Sequence, residues 1–307
     1  MAKGHLRVTG TTANRFPTET PSLLPSFIRG ASRSPFKRPR PDAPLPSGRV
    51  TRPAVRADPR RLAAYERICG FATGRDALPV TYPHVLGFPL AMRLMSARDF
   101  PLPLLGLVHT SIEIVQHRAI GPGEELELTV YAEGLAPHRK GTEATVVTGA
   151  RVGGAAVWES RSTYLARHGT SAKDAATGTG AGTGFEPLPA RAEWRLSGDL
   201  GRRYGAASGD RNPIHLHPLS ARLFGFPRAV AHGMWTVARC LAAHSTDGPV
   251  RVRADFRAPV LLPATVTYGA SGAAFDLRSG DDGGRLHVRG EARPLDLPLD
   301  PPLDPRP

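Results

Sequence analysis

Cysteine is nearly missing from this chain. Two of the 307 residues are cysteine, Cys69 and Cys240, set in separate halves with no metal-ligating neighbours in sequence. That excludes a disulfide framework and a cysteine-based metal centre, and both side chains read as small buried hydrophobes. No apolar run approaches the roughly 18 residues of a membrane span. No signal-peptide core is visible either, so the expected location is cytoplasmic. Acidic residues are scarce at the start: residues 1–61 hold 13 Lys or Arg against 3 Asp or Glu, while the whole chain carries +13. The basic charge therefore belongs mostly to the tail and not to a folded face, and nucleic acid is not an expected partner. Lysine is scarce everywhere, 4 against 36 arginines. An Arg-rich tail is thus no distinctive transit-peptide signal in this chain.

Glycine and proline are abundant, 33 and 31 residues, so much of the chain must be turns or irregular. Composition divides it into a disordered basic tail (1–54), a first domain (55–167), a flexible linker (168–190), a second domain (191–293) and a Pro-rich tail (294–307). The first domain opens at Asp58-Pro59, a cap followed by a first-turn proline, with Leu62, Tyr65, Ile68 and Cys69 at helical spacing. A short helix through Met92 and Met95 follows. Strands fit 107–117, 125–133, 141–151 and 155–166, the second alternating cleanly as a half-buried strand does. The second domain repeats the plan. A strand spans 192–196, a helix 199–207 and another helix 234–243. Four strands then lie near 250–258, 264–270, 273–278 and 284–292.

The halves also echo each other residue by residue. Tyr65 to Gly70 resembles Tyr204 to Gly209, and Leu86-Gly87-Phe88-Pro89 resembles Phe224-Gly225-Phe226-Pro227. A helix on one face of an antiparallel sheet is the simplest way to bury both.

The chemistry concentrates between Tyr204 and Met234. Asp210 and His215 stand five positions apart with Asn212-Pro213 between them. Proline removes a donor and disfavours helix at the residue before it, so the two acid/base groups are held across a turn. Such a pair can converge on one water. Further on, His232-Gly233 precedes an apolar helical run whose first N–H groups can hold a developing oxyanion. Ser208 lies before a Gly-Asp turn with no activating base and reads as a hydrogen-bonding residue. Asn212 reads as a turn-positioning residue.

The run Tyr-x-x-x-Ser-Gly-Asp-x-Asn-Pro-Ile-His, then Phe-Gly-Phe-Pro and Ala-His-Gly-Met, resembles the MaoC-like, (R)-specific enoyl-thioester hydratase 2 signature. Over residues 55–292 the chain is similar to two-hotdog actinobacterial 3-hydroxyacyl-thioester dehydratases. The resemblance implies an α+β double hotdog, two antiparallel sheets each wrapped round a helix, packed as a pseudo-dimer within one chain, with further homodimerisation left open. It implies reversible hydration of trans-2-enoyl thioesters to (3R)-3-hydroxyacyl thioesters, on coenzyme A or acyl carrier protein, with no cofactor and no metal. Asp210 and His215 would be catalytic, with Gly233, Asn212 and Ser208 positioning oxyanion and substrate. The first half departs from the signature: Asp76 and His84 are not at the motif spacing, and Ala91-Met92-Arg93 stands for His-Gly-Met. That half is expected to be catalytically silent, with Val85, Leu86, Phe88, Leu90 and Met92 as core or tunnel wall, and no role for His109 or His117. Two other classes stay open. One is a hotdog thioesterase, although the run 234–243 lacks the carboxylate such an enzyme places there. The other is a non-catalytic acyl-binding protein.

Overall fold

A computed structural model describes residues 29–30, 32–169, 186–244, 248–280 and 284–295. The first 28 residues, the centre of the expected linker (170–185) and the chain from 296 onward lie outside the described residues.

The first half contributes strands β1 (Val50–Val55), β2 (Val108–Gln116), β3 (Leu126–His138), β4 (Gly141–Val152) and β5 (Ala155–Arg167). The second contributes β6 (Ala190–Leu196), β7 (Val250–Phe256), β8 (Ala264–Ser271), β9 (Ala274–Ser279) and β10 (Arg285–Pro294). All ten form a single sheet in the order β1-β3-β4-β5-β2-β7-β10-β9-β8-β6, every pairing antiparallel. Read inward from either edge, the two halves have the same strand order, so the internal repeat is one of topology as well as sequence. The halves join where β2 meets β7, with Ile112 opposite Ala254 and Gln116 opposite Val250.

Helix α1 (Pro59–Cys69) starts as its sequence dictates: the Asp58 carboxylate accepts the Arg61 N–H at 2.8 Å and Pro59 fills the first turn. Gly70 ends it in the left-handed region at φ 82°. Helix α2 (Tyr82–Met95) is longer than the short helix expected near Met92. Pro83 sits in its first turn, where no N–H is needed, and burial on nearly every side carries it past Pro89. It packs on β1, β3 and β4. The second half holds α3 (Leu200–Ser208), the short α4 (Pro213–Leu216) and α5 (Pro218–Arg222), then α6 (Gly233–His244), which lies on β9 and β10. The five suggested tunnel residues are core or lie against it: Val85, Leu90 and Met92 are buried, and Leu86 and Phe88 pack on the core half-buried.

The equivalence of the halves differs from the sequence expectation in one respect. Leu86 to Pro89 lies inside α2, whereas Phe224 to Pro227 precedes α6, so the two Gly-Phe-Pro runs are not structural counterparts. Tyr65 and Tyr204 are counterparts, and they meet, rings 5.9 Å apart, where α1 packs on α3. Tyr65 then contacts Thr81, just before α2, as Tyr204 contacts His232, just before α6. Thr81, not Ala91, therefore occupies the place of His232. The second half spends the intervening residues on α4 and α5; the first half has no helix there.

The expectation of disorder through residue 54 is corrected. Leu105 N–H donates to Ser34 Oγ at 3.0 Å, Lys37 Nζ donates to the Ala97 carbonyl at 2.9 Å, and β1 begins at Val50. This order is set by partners sixty or more residues away, which a local reading of Pro and Arg content cannot register. At roughly 1 kcal/mol for each net hydrogen bond, a chain starting at residue 50 is expected to melt a few degrees below one starting at residue 29. Scanning calorimetry on the two truncations checks this, and equal melting would show that the segment contributes nothing.

Candidate active site

Helix α3 ends at Gly209, whose φ of 87° turns the chain sharply. Asp210 follows, its N–H donating to Ser208 Oγ at 3.2 Å. The Asp210 carboxylate accepts the Asn212 N–H at 3.1 Å, and Asn212 in turn caps α4, its Oδ1 accepting the Ile214 N–H at 3.4 Å. Proline at the first position of α4 then sets His215 one turn away. The Asn-Pro pair is thus a helix start that fixes the spacing between carboxylate and imidazole.

Two glycines on α3 let this segment come close. A Cβ on Gly201 would lie 1.9 Å from the His215 carbonyl oxygen, and one on Gly205 would lie 2.7 Å from that of Asp210. No side chain fits at either place without moving the site backbone.

His215 Nδ1–H donates to the Val230 carbonyl at 2.7 Å. Because a carbonyl only accepts, this bond fixes the tautomer and leaves Nε2 with its lone pair. The His232 ring stacks on His215, centroids 3.7 Å apart and planes 26° apart. His232 Nε2–H donates to the Asp210 carbonyl at 3.0 Å, so this ring holds the Asp210 backbone against the start of α6. Ligating atoms of Asp210, His215 and His232 all lie within 4.8 Å of one another. That distance would admit a cation. Two face-to-face rings, however, direct their in-plane lone pairs along nearly parallel planes, not toward one centre.

Asp210 lies deep in the protein, yet about 26% of its side-chain surface is reachable by solvent. Its carboxylate therefore remains within reach of water. Burial raises its carboxyl above the ordinary range, opposed by His215 and by the Asn212 N–H. Burial lowers His215, with Asp210 and the Val230 carbonyl opposing. Both effects bring the carboxylate and imidazole closer to a common proton affinity, as proton exchange between them requires. Gly233 opens α6, and a Cβ on it would lie 3.0 Å from Phe256 Cε1, so only glycine leaves this helix start open beside Phe256.

The structure thus brings Ser208, Asp210, Asn212 and His215 together, with His232 holding Asp210 to the start of α6 at Gly233. It does not assemble a matching pair in the first half: Asp76 is exposed and His84 is buried against Ser160. His232 was quoted in the signature without a role. Its signal was available in the same Ala-His-Gly-Met run.

The family model for the MaoC like domain matches residues 186–274, the stretch containing every one of these groups. Over 275 residues the chain is 37% identical to 3-hydroxyacyl-thioester dehydratase X of Mycobacterium tuberculosis, covering 89% of this chain and 95% of that protein. The chain belongs to the MaoC-like dehydratase family. The crystal structure of that M. tuberculosis protein, HtdX, superposes with a TM-score of 0.69 at 35% identity, covering 81% of this chain and all of that one. A MaoC-like dehydratase from Phytophthora capsici shares the fold at 18% identity, with a TM-score of 0.62 over 83% of this chain and 98% of that one.

Two outcomes follow for this MaoC-like site. Gly201→Ala is expected to lower turnover at least tenfold, because the His215 carbonyl must move; activity at the wild-type level in a folded variant would show that α4 adjusts freely. The second concerns Asp210, whose folded pKa lies above its unfolded value. Its ionised form costs stability at neutral pH, and that cost vanishes as pH falls through the raised pKa. Asp210→Asn should therefore melt higher than wild type at neutral pH, with the gap closing toward acid. Melting curves across that range decide it, and a variant that melts lower at neutral pH would contradict the assignment.

Proposed function

We propose that this chain is a hydro-lyase interconverting trans-2-enoyl and (3R)-3-hydroxyacyl thioesters carried on coenzyme A or acyl carrier protein. The observation that carries this is the meeting of Asp210 and His215, with the Asp210 carboxylate still reachable by solvent, at the start of α6. In hydration, Asp210 and the Nε2 of His215 hold one water. Its proton passes to the pair as its oxygen bonds to the β-carbon, and the pair returns a proton to the α-carbon. Between those events the negative charge lies on the thioester oxygen, where the Gly233 N–H and the start of α6 stabilise it. Dehydration runs the same path backward. Family membership and the 37% identical dehydratase support the reaction class.

A thioesterase is less well supported, since α6 carries no Asp or Glu along Gly233–His244. A binding protein would have no use for two adjacent titratable groups whose proton affinities burial brings closer together. Among the described residues no helix is long and apolar enough to cross a membrane.

Asp210→Asn and His215→Ala should each lower crotonyl-thioester turnover by on the order of a hundredfold or more. Groups that act on one water are strongly non-additive, so the double variant should be little worse than the poorer single one. Steady-state rates in both directions test this. Losses that multiply in the double variant would assign the residues to separate steps. Near-full activity in either folded single variant would end the dehydratase reading.

A further inference from the structure

The inward face of β5 in the first half is polar where a core-facing strand is ordinarily apolar. Ser160, Ser162 and Tyr164 alternate along it, all buried. His109, opposite Tyr164 on β2, stacks on that ring at 4.6 Å, and His84 from α2 lies 6.2 Å from His109. The strand registers identify the counterparts in the second half. Where Ile112, Ile114 and His109 pair with Ser162, Ser160 and Tyr164, the residues Val252, Ala254 and Val250 pair with Ala292, Gly290 and Pro294, a correspondence set by the matching strand ends, where His117 N–H donates to the Val157 carbonyl and Arg257 N–H to that of His287. The same places in the repeat are thus apolar or small, and the polar face belongs to the first half alone.

This face adjoins the reaction centre. Phe256 touches both sides, 4.7 Å from His109 by ring centroids and against the open start of α6 at Gly233. Tyr164 lies within the electrostatic reach of the Asp210 carboxylate. Two of its polar atoms are shut from solvent and, among the described residues, have no hydrogen-bond partner: His109 Nε2 and Ser162 Oγ. The Ser162 hydroxyl lies near the Tyr164 phenol but outside hydrogen-bond geometry. Leaving such atoms unpaired costs on the order of 1–3 kcal/mol each, a cost that a partner arriving with the substrate would remove. The other His109 nitrogen faces the Ser111 backbone, and burial keeps the ring neutral, its pKa pushed down to about 3. His109 Nε2 therefore accepts, and a serine hydroxyl both donates and accepts. The ligand that satisfies both is itself a hydroxyl.

Building on the dehydratase reading, we propose that His109 and Ser162, beside Tyr164, form a subsite for a hydroxyl group on the substrate's acyl chain beyond the reacting carbons. The preferred substrates are then hydroxylated enoyl thioesters, and the first half takes part in specificity while leaving the chemistry to the second.

The test uses the full chain with trans-2-octenoyl-CoA and its 5-, 6-, 7- and 8-hydroxy derivatives, read as the kcat/KM of each derivative over that of the plain substrate. Sites built to bond a hydroxyl discriminate by large factors, so for at least one position the wild-type ratio should be about tenfold or more. His109→Leu and the near-isosteric Ser162→Ala should each bring that ratio toward one. His109→Gln, which keeps an acceptor, should retain part of it. Because the readout is a ratio, a loss of activity common to both substrates does not enter. A wild-type ratio at or below one for every position overturns the proposal, as ordered water in the subsite would produce. So does a ratio that survives in both His109→Leu and Ser162→Ala. If wild type turns over no member of the panel, the dehydratase reading falls, and this inference with it.

Discussion

Strand β7 pairs on one edge with β10 and on the other with β2, and that second pairing makes two repeats one molecule. A hotdog sheet covers one face of its helix and leaves an edge strand with unpaired backbone groups, which is a hazard unless paired. Here each half supplies the edge the other lacks. The seam is reinforced behind the sheet by side chains that reach across halves: Trp235 Nε1–H donates to the Ile68 carbonyl at 2.8 Å, and Gln116 Nε2–H to that of Gly248 at 2.8 Å. Each such bond contributes only about 1 kcal/mol. The apolar core that runs continuously from Leu62 through Leu277 contributes far more and ties the halves into one cooperative body.

That seam also explains where the site lies. Asp210 and His215 come from the loop segment of the second half, and Tyr164 on β5 of the first lies within electrostatic reach of Asp210. Burial raises Asp210 and lowers His215. The same burial is what makes the site costly to the fold. Two imidazoles and one carboxylate are crowded at the start of α6, and His232 keeps a buried Nδ1 without a partner among the described residues. Stability is spent locally for proton affinities suited to the reaction.

Much of the fold was legible in the sequence because its signals are periodic. Of the thirteen helices and strands expected from Asp58 onward, all are present, twelve of them within about five residues of their expected bounds, and the short helix near Met92 is the one that proves longer. The carboxylate, the imidazole and the capping asparagine were legible too, since Asn-Pro fixes local geometry through backbone constraints that need no tertiary partner. What escaped the reading depends on distant contacts. The order of residues 32–54 rests on the Ala97 carbonyl, the Leu105 N–H and the pairing of β1 with β3. The bearing of Gly201 on His215 appears only once α3 and α4 are packed. The counterpart of His232 was misplaced at Ala91 because a Gly-Phe-Pro run looks alike in a loop and in a helix, and only the Tyr65–Thr81 and Tyr204–His232 contacts reveal the true correspondence.

The divergence of the repeats then has a physical direction. The second half gained α4 and α5 between its tyrosine and its central helix, and with them the Asp and His of the site. The first half kept a bare loop there, so Thr81 meets Tyr65 with a simple hydroxyl bond at 2.8 Å where His232 meets Tyr204. Without a matching Asp and His pair, the first half is still not plain core. Its inward strand face carries Ser160, Ser162 and Tyr164 where the repeat has Gly290, Ala292 and Pro294, and polar groups in such positions are not retained by packing alone. A pseudo-dimer that loses one site keeps two surfaces around the surviving one. Once the two halves no longer share a sequence, each surface can be shaped for a different part of the same substrate.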